Sequence, residues 1–367
     1  MRIAVDCRML GASGVGVYLR ETLACFLDTP PEDVAFLLLG DRAKLAPLAG
    51  GRRNVEVVAC GTRPFSLREL LWFPAALVKK INRLDAYFSP SFNVPAGITV
   101  PVYTTIHDLV FSDMPELTAV STVGLMARMW FYRRAFRRSK TVFTVSVFSK
   151  SRIEHHLGLG TPVVVVYNGC SRYLAAMDKD QPGKRHKTGD ILFTGNIKKH
   201  KGLAVLLRAF FAARAEGLEN RLVIVGDKDN FRSRDDAMLA ELERADPQAV
   251  CFTGRIPDDA LKTYLTQSAV LVQPSLYEGF GIPPLEAMMC GTQALVSDIP
   301  VFRELYSDFP VVFFKPGDAG DLQEKLMALL FNKEPETVRL SESLRARYTY
   351  EKTASSILRA MAATALS

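Results

Sequence analysis

A chain of 367 residues, 48% apolar and 23% charged, is long enough for two α/β domains of about 150–200 residues each. Its 24 glycines and 20 prolines are too few for a fibrous or linker-type chain. Its formal charge of +7 is compatible with an anionic substrate, an anionic membrane surface or nucleic acid. Charges at Arg2, Asp6 and Arg8 break up the opening segment, so no signal peptide is expected there. No run of 18 apolar residues predicts a membrane span. Cys7, Cys25, Cys60, Cys170, Cys251 and Cys290 are widely spaced without a C-x-x-C pair, and they read as buried free thiols of a reducing cytoplasm.

In chain order, short apolar runs predict strands at 3–5, 35–39, 55–58, 86–88, 102–106, 141–145 and 163–166. A glycine loop at 11–16 precedes a helix carrying Tyr18, Leu19, Leu23, Phe26 and Leu27. Residues 128–140 interleave Trp130, Phe131 and Phe136 with five arginines at helical period. Two readings stay open for this helix: an ordinary surface helix with its aromatic side in the core, or one lying flat on anionic lipid. No recognisable nucleic-acid module accompanies it, so no nucleic-acid partner is expected. After Asn168-Gly169 the pattern breaks, and the polar stretch 178–190 reads as an exposed linker. Strands then follow at 191–193, 222–226, 249–252, 270–272, 294–296 and 311–313, divided by helices at 203–213, 235–243, 258–267 and 283–289. A last helix is expected over 341–363. Strands alternating with helices of this length predict parallel sheets built from right-handed βαβ units, with ligands in a cleft at the carboxyl ends of the strands. The expected division is 1–170, 171–345, and a terminal segment 346–367 packing back on the first domain.

The segment from Gln273 to Met288 follows a strand, passes Gly279-Phe280-Gly281 and opens a helix at Ile282-Pro283-Pro284. The glycines allow close backbone approach, and a helix start offers N–H groups to an anion. Glu278 and Glu286 suit one ligand lying across that helix start, the first at a sugar and the second at a ribose or sugar hydroxyl pair. The alternative reading makes Glu278 a turn cap and Glu286 a solvated helix residue.

This stretch resembles the signature of the retaining glycosyltransferases of family 4, or group 1, whose pattern is a Glu, a Gly-Phe-Gly turn and a second Glu eight positions after the first. The resemblance implies the GT-B fold, an α/β architecture of two Rossmann-like domains facing each other across a cleft. Gly195-Asn196 through Lys201-Gly202 resembles the loop opening the second domain, which makes Lys201 the contact to the donor diphosphate. Family members often carry an arginine where this chain has Asn196 and His200, so His200 or Lys198 stand as substitutes for a second cation. The amino-terminal loop with Gly14 and Gly16 is similar to that of the mannosyl- and rhamnosyl-transferring branch. No Gly-Lys-Ser/Thr follows it, and its glycine spacing is not that of a dinucleotide fingerprint. By the same resemblance His107 lies beside the transferred sugar, with Asp108 orienting its ring. Ser146 opens a loop touching donor or acceptor, and Arg255 belongs to a loop near the nucleobase.

The implied activity is transfer of a hexosyl group, mannose from GDP-mannose being the favoured donor. The implied acceptor is a glycan or lipid-linked glycan of cell-surface polysaccharide synthesis. His107, Lys201 and Glu278 carry the chemistry. Gly14, Gly16, Asn196, His200, Arg255, Gly279, Phe280, Gly281, Ile282 and Glu286 join them around the donor, and Asp108 and Ser146 lie on the acceptor side. No cofactor and no metal are expected. The apolar stretch 109–126 and the basic aromatic helix suit a lipid-linked acceptor, and place the protein in the cytoplasm at the inner face of the plasma membrane. Two other readings are a nucleotide-sugar hydrolase or epimerase of the same fold, and a non-catalytic binder of glycans or nucleotide sugars.

Overall fold

Fully apolar runs rich in Val, Ile, Leu and Phe fold as strands buried on both faces, the environment of a parallel sheet covered by helices. The computed structural model describes residues 1–12, 14–28, 33–118, 120–175, 187–226 and 246–365. The helix expected at 235–243, most of the polar stretch at 178–190 and Ser13 of the glycine loop lie outside the described residues.

The chain divides into two units. The first comprises Met1–Leu109, Ser121–Gly169 and Thr349–Ser367. Its strands are β1 (Arg2–Asp6), β2 (Ala35–Gly40), β3 (Val55–Ala59), β4 (Ala86–Ser89), β5 (Val102–Thr105), β6 (Ser139–Thr144) and β7 (Val163–Val165). They pair in parallel in the order β3-β2-β1-β4-β5-β6-β7. The helix Gly14–Asp28 and the terminal helix Tyr350–Ala365 share one core, in which Tyr18, Leu23 and Phe26 meet Tyr350, Ile357 and Met361. Side chains of this size each stabilise the fold by about 1.5–3 kcal/mol on burial.

The second unit comprises Val110–Val120 and Cys170–Tyr348. Its strands β8 (Ile191–Thr194), β9 (Leu222–Val225), β10 (Val250–Gly254), β11 (Val270–Gln273), β12 (Gln293–Ser297) and β13 (Val311–Phe314) are all parallel, in the order β10-β9-β8-β11-β12-β13. The helices Leu203–Ala215 and Ala319–Leu330 cover one face through Leu206, Phe210, Leu322 and Leu326.

Each sheet reverses its strand order once, between β1 and β4 in the first unit and between β8 and β11 in the second. At such a reversal the connections leave to opposite faces, and the loops at the carboxyl ends of the two strands part to leave a crevice. Two expected elements differ from those observed. The helix expected over 341–363 is broken into Glu342–Arg345 and Tyr350–Ala365, because the chain passes from the second unit to the first between Tyr348 and Thr349. The apolar stretch 109–126 is divided between the units: Val110–Val120 belongs to the second, and the chain rejoins the first at Ser121, the N-cap of the helix Thr122–Arg138.

Candidate active site

In the second unit the loops leaving β8 and β11 meet at the reversal. The first ends in a short 3₁₀ turn, Lys199–Lys201, closed by Gly202 at φ 70°. A Cβ at Gly202 would sit 1.8 Å from the Pro274 carbonyl oxygen, so this close contact with the β11 loop admits only glycine. The Leu276 N–H donates to the His200 carbonyl at 2.8 Å and fastens the same two loops. Lys201 thereby faces Glu278, and its Nζ donates to both carboxylate oxygens, at 2.7 Å and 2.6 Å. Glu278 is buried, while the Lys201 side chain keeps partial exposure. Ser275 Oγ donates to Glu278 Oε1 at 2.8 Å and accepts from Gln273 Nε2 at 2.9 Å, so the carboxylate is held from the strand side as well. Gly281, at φ 79°, then turns the chain into the helix Ile282–Met289, and the Tyr306 hydroxyl donates to its carbonyl at 2.6 Å. The arrangement offers an ammonium to an anion and a fixed carboxylate to hydroxyl donors, side by side at a helix start.

In the first unit His107 follows β5. Its Nε2 lies 2.9 Å from the Pro90 carbonyl oxygen, and the Tyr18 ring stands edge-on to it with centroids 4.7 Å apart. A carbonyl only accepts, so Nε2 carries the proton. Burial lowers the pKa of the imidazole below its ordinary value, outweighing the Pro90 hydrogen bond and the Asp108 charge, which both raise it. The ring is therefore neutral near pH 7, with Nδ1 as its acceptor. Ser149 Oγ donates to the His107 carbonyl at 3.0 Å and fixes the backbone at the same point.

Residues 176–362 match the family model of the glycosyl transferases group 1, and residues 12–172 match that of glycosyltransferase family 4. The chain belongs to the glycosyl transferases group 1. Among its relatives, the O-antigen chain mannosyltransferase RfbU of Salmonella typhimurium is 24% identical over 81% of this chain and 80% of that protein. The phosphatidyl-myo-inositol mannosyltransferase of Mycobacterium tuberculosis is 28% identical over 73% of this chain and 68% of that one. The crystal structure of Anabaena HepE in complex with UDP and glucose superposes with a TM-score of 0.71, covering 99% of this chain and 100% of that chain at 17% identity. The fold is thus GT-B, and the protein is a glycosyltransferase that takes a hexosyl group from a nucleotide-sugar donor.

Among the other residues expected at this glycosyltransferase's donor, Glu286 is a buried helix residue rather than a solvated one, and it accepts a hydrogen bond from Ser171 Oγ. The Phe280 ring packs edge-on against Tyr348 with centroids 5.6 Å apart, so its side chain belongs to the core. Gly279 is buried beside it, and Ile282 is half-buried at the helix start. Asn196 is half-buried in the β8 loop, and Arg255 is exposed beyond β10. His200 is buried, and its pKa is pushed down to about 3 by burial, with the charges of Lys201 and Lys198 adding to the effect. It is neutral at physiological pH, and so does not supply the second cation once expected of it. The Ser146 hydroxyl accepts from the Ser149 N–H at 3.0 Å as the N-cap of the helix Val147–Leu157. Gly14 and Gly16 lie in the first turn of a helix rather than in a loop; Gly14 is exposed and Gly16 buried. Sequence reasoning missed Gln273, Ser275, Ser171 and Pro90, whose polar atoms hold the predicted residues. Ser171 and Glu286 stand 115 positions apart, and no local spacing signals such a contact.

Proposed function

We propose that this glycosyltransferase moves mannose from GDP-mannose, with retention of anomeric configuration, to a glycan or lipid-linked glycan acceptor in cell-surface polysaccharide synthesis. The observation that carries the reading is the Lys201–Glu278 pair at the β8–β11 reversal. As the nucleoside diphosphate departs, negative charge builds on the β-phosphate and oxocarbenium-like charge on the sugar. Lys201, beside the start of the helix Ile282–Met289, opposes the first where it develops, in a site of low dielectric. Glu278 accepts from hydroxyls of the sugar, Glu286 from the ribose, and His107 from a sugar hydroxyl through Nδ1. The acceptor hydroxyl attacks on the leaving-group face, and the departing phosphate takes its proton. Two relatives whose names state mannosyl transfer support mannose, and the O-antigen and phosphatidylinositol of those names support a glycan or lipid acceptor.

The reading includes a peripheral, cytoplasmic position at an anionic membrane. Among the described residues no helix is long and apolar enough to cross a bilayer. On the helix Thr122–Arg138, Tyr132, Ala135 and Phe136 enter the core. Val123, Met126, Trp130, Arg133 and Arg137, spaced by three and four, form an exposed stripe, with Trp130 50% exposed. The Phe131 ring packs against Phe65 with centroids 5.4 Å apart, which brings a second segment alongside, bearing Leu67, Leu71 and a Trp72 that is 69% exposed. Exposed tryptophan and aliphatic side chains beside arginines suit the headgroup region of an anionic leaflet.

The test is proton NMR of the product formed from GDP-mannose and a lipid-linked acceptor. The anomeric configuration of the donor is expected in the product. An inverted product, or transfer from UDP-glucose in preference to GDP-mannose, would overturn the reading.

A further inference from the structure

At the carboxyl end of β1, still within the first unit, lies a buried polar cluster that the donor chemistry does not use. Asp6 and Glu69 are buried carboxyl groups, and the Arg8 side chain between them is 2% exposed. The guanidinium donates to Asp6 Oδ1 at 2.8 Å, and through Nη2 to Asp6 Oδ2 and Glu69 Oε1, at 2.5 Å each. It also donates to the Thr62 carbonyl at 3.0 Å and lies over the Phe73 ring at 5.2 Å. The Tyr87 hydroxyl donates to Asp6 Oδ2 at 2.7 Å, and the Phe65 N–H to Glu69 Oε2 at 2.6 Å. Asn93 Nδ2 bridges the two carboxyl groups, at 2.8 Å from Asp6 and 3.0 Å from Glu69. Burial pushes the Asp6 carboxyl up, but the Arg8 charge and the hydrogen bonds from Arg8, Tyr87 and Asn93 outweigh it and hold Asp6 below its usual range.

Stability does not explain so much buried charge. Desolvation costs several kcal/mol per ion, and well-packed apolar groups of the same volume are commonly as stable or more so. What the cluster does in this fold is hold a turn. Ser89 Oγ donates to Asn93 Oδ1 at 3.0 Å, and the Ser91 N–H to Ser89 Oγ at 3.4 Å, so residues 89–93 close on themselves after β4. Asn93 ties that closed turn to Asp6 and Glu69. Pro90 lies inside it, and its carbonyl oxygen accepts the His107 Nε2–H. The turn and Asp6 stand on the two strands of the β1–β4 reversal, and His107 leaves the next strand, β5.

We propose that Asp6, Arg8, Glu69 and Asn93 are positioning residues, fixing the 89–93 turn so that the Pro90 carbonyl holds His107 in its Nε2–H form. Nδ1 is then presented as a hydrogen-bond acceptor to the transferred sugar. The catalytic half of the proposal rests on the assignment of His107 to the sugar, and the test separates the two.

The full chain is labelled with ¹⁵N-histidine, and the His107 ring is assigned among the five histidines by the signal lost in His107→Gln. Wild-type His107 is expected to show the two widely separated nitrogen shifts of a single neutral Nε2–H tautomer. In Ser89→Ala and Asn93→Ala the separation shrinks toward a tautomer mixture, and kcat falls about tenfold with the donor KM held within about twofold. Tyr87→Phe, which removes a hydrogen bond from Asp6 without touching the turn, leaves the His107 shifts in place. Should Asn93→Ala fail to fold, Ser89→Ala, which leaves both carboxyl groups their partners, decides. Unchanged His107 shifts in the folded variants would overturn the positioning. Shifts that move while kcat stays at the wild-type value, or a fully active His107→Ala enzyme, would instead overturn the role of His107 at the sugar.

Discussion

Lys201 and His200 are neighbours in one turn and illustrate how burial sorts two basic residues into different tasks. The Lys201 side chain is part-exposed and paired with the buried Glu278 carboxylate. The imidazole of His200 is buried beside two lysine charges, and with a pKa of about 3 it stays neutral. An unfolded histidine titrates near 6.5, so between those values the unfolded chain binds a proton that the folded chain refuses. Stability therefore rises with pH across that window, and is lost as the pH falls from about 6.5 toward 3. By pH 5 the loss from this residue amounts to about 2 kcal/mol. His200→Gln is expected to remove it. Urea unfolding at pH 7 and pH 5 should show the wild type losing about 2 kcal/mol more than the variant, whereas equal losses would contradict the assignment. The resemblance to the family's lysine loop put His200 forward as a second cation, because a matched motif reports neither burial nor the repulsion from Lys201 and Lys198.

At the scale of elements, the strands were legible because most are short runs rich in apolar and β-branched residues, and all thirteen in the described residues lie at or near the predicted positions. The break at 346–349 and the transfer of Val110–Val120 to the second unit were not, since the helical pattern of the one stretch and the apolar pattern of the other run on across the places where the chain changes units. The glycines divide in the same way. Gly202 and Gly281 sit in left-handed turns, where a Cβ would meet the Pro274 carbonyl oxygen at 1.8 Å and the Phe302 ring at 2.4 Å. Gly202→Ala and Gly281→Ala are expected to cost at least about 2 kcal/mol each by denaturant unfolding. A Cβ at Gly14, in a helix, has nothing within 4 Å, so Gly14→Ala should leave stability unchanged or raise it by up to about 1 kcal/mol. A loss of stability at Gly14 as large as at Gly202 would contradict this division. The arginine-rich helix was legible as amphipathic but not in its orientation. Arg134 and Arg138 reach back to the Val94 and Ile98 carbonyls, while Trp130 turns outward. Sedimentation with phosphatidylcholine vesicles, with and without phosphatidylglycerol, tests the consequence. Replacing Trp72 and Trp130 together by serine should weaken binding to the anionic vesicles at least about tenfold. Binding as tight as that of the wild type would remove the membrane face.

At the scale of the molecule, two parallel sheets each reverse strand order once, and hydrogen-bonded polar and charged side chains collect at both reversals: Asp6 and Asn93 in the first unit, Lys201 and Glu278 in the second. The sequence showed the ends of this logic, the Glu278–Glu286 signature and the lysine loop, because each is contiguous. Their supports were not visible, since Gln273, Ser275 and Ser171 are ordinary polar residues until folding sets them against a buried carboxylate. The central claim is that the Lys201–Glu278 pair marks the pocket of a nucleotide-sugar donor. Titration calorimetry of GDP-mannose and GDP against the wild type and Lys201→Ala, with UDP-glucose for comparison, tests it most directly. GDP-mannose and GDP are expected to bind the wild type in preference to UDP-glucose, and both to weaken by at least about tenfold in Lys201→Ala, the loss of one charge-assisted contact to the diphosphate. Equal binding by the two proteins, or no binding of any of the three ligands by the wild type, would contradict the account.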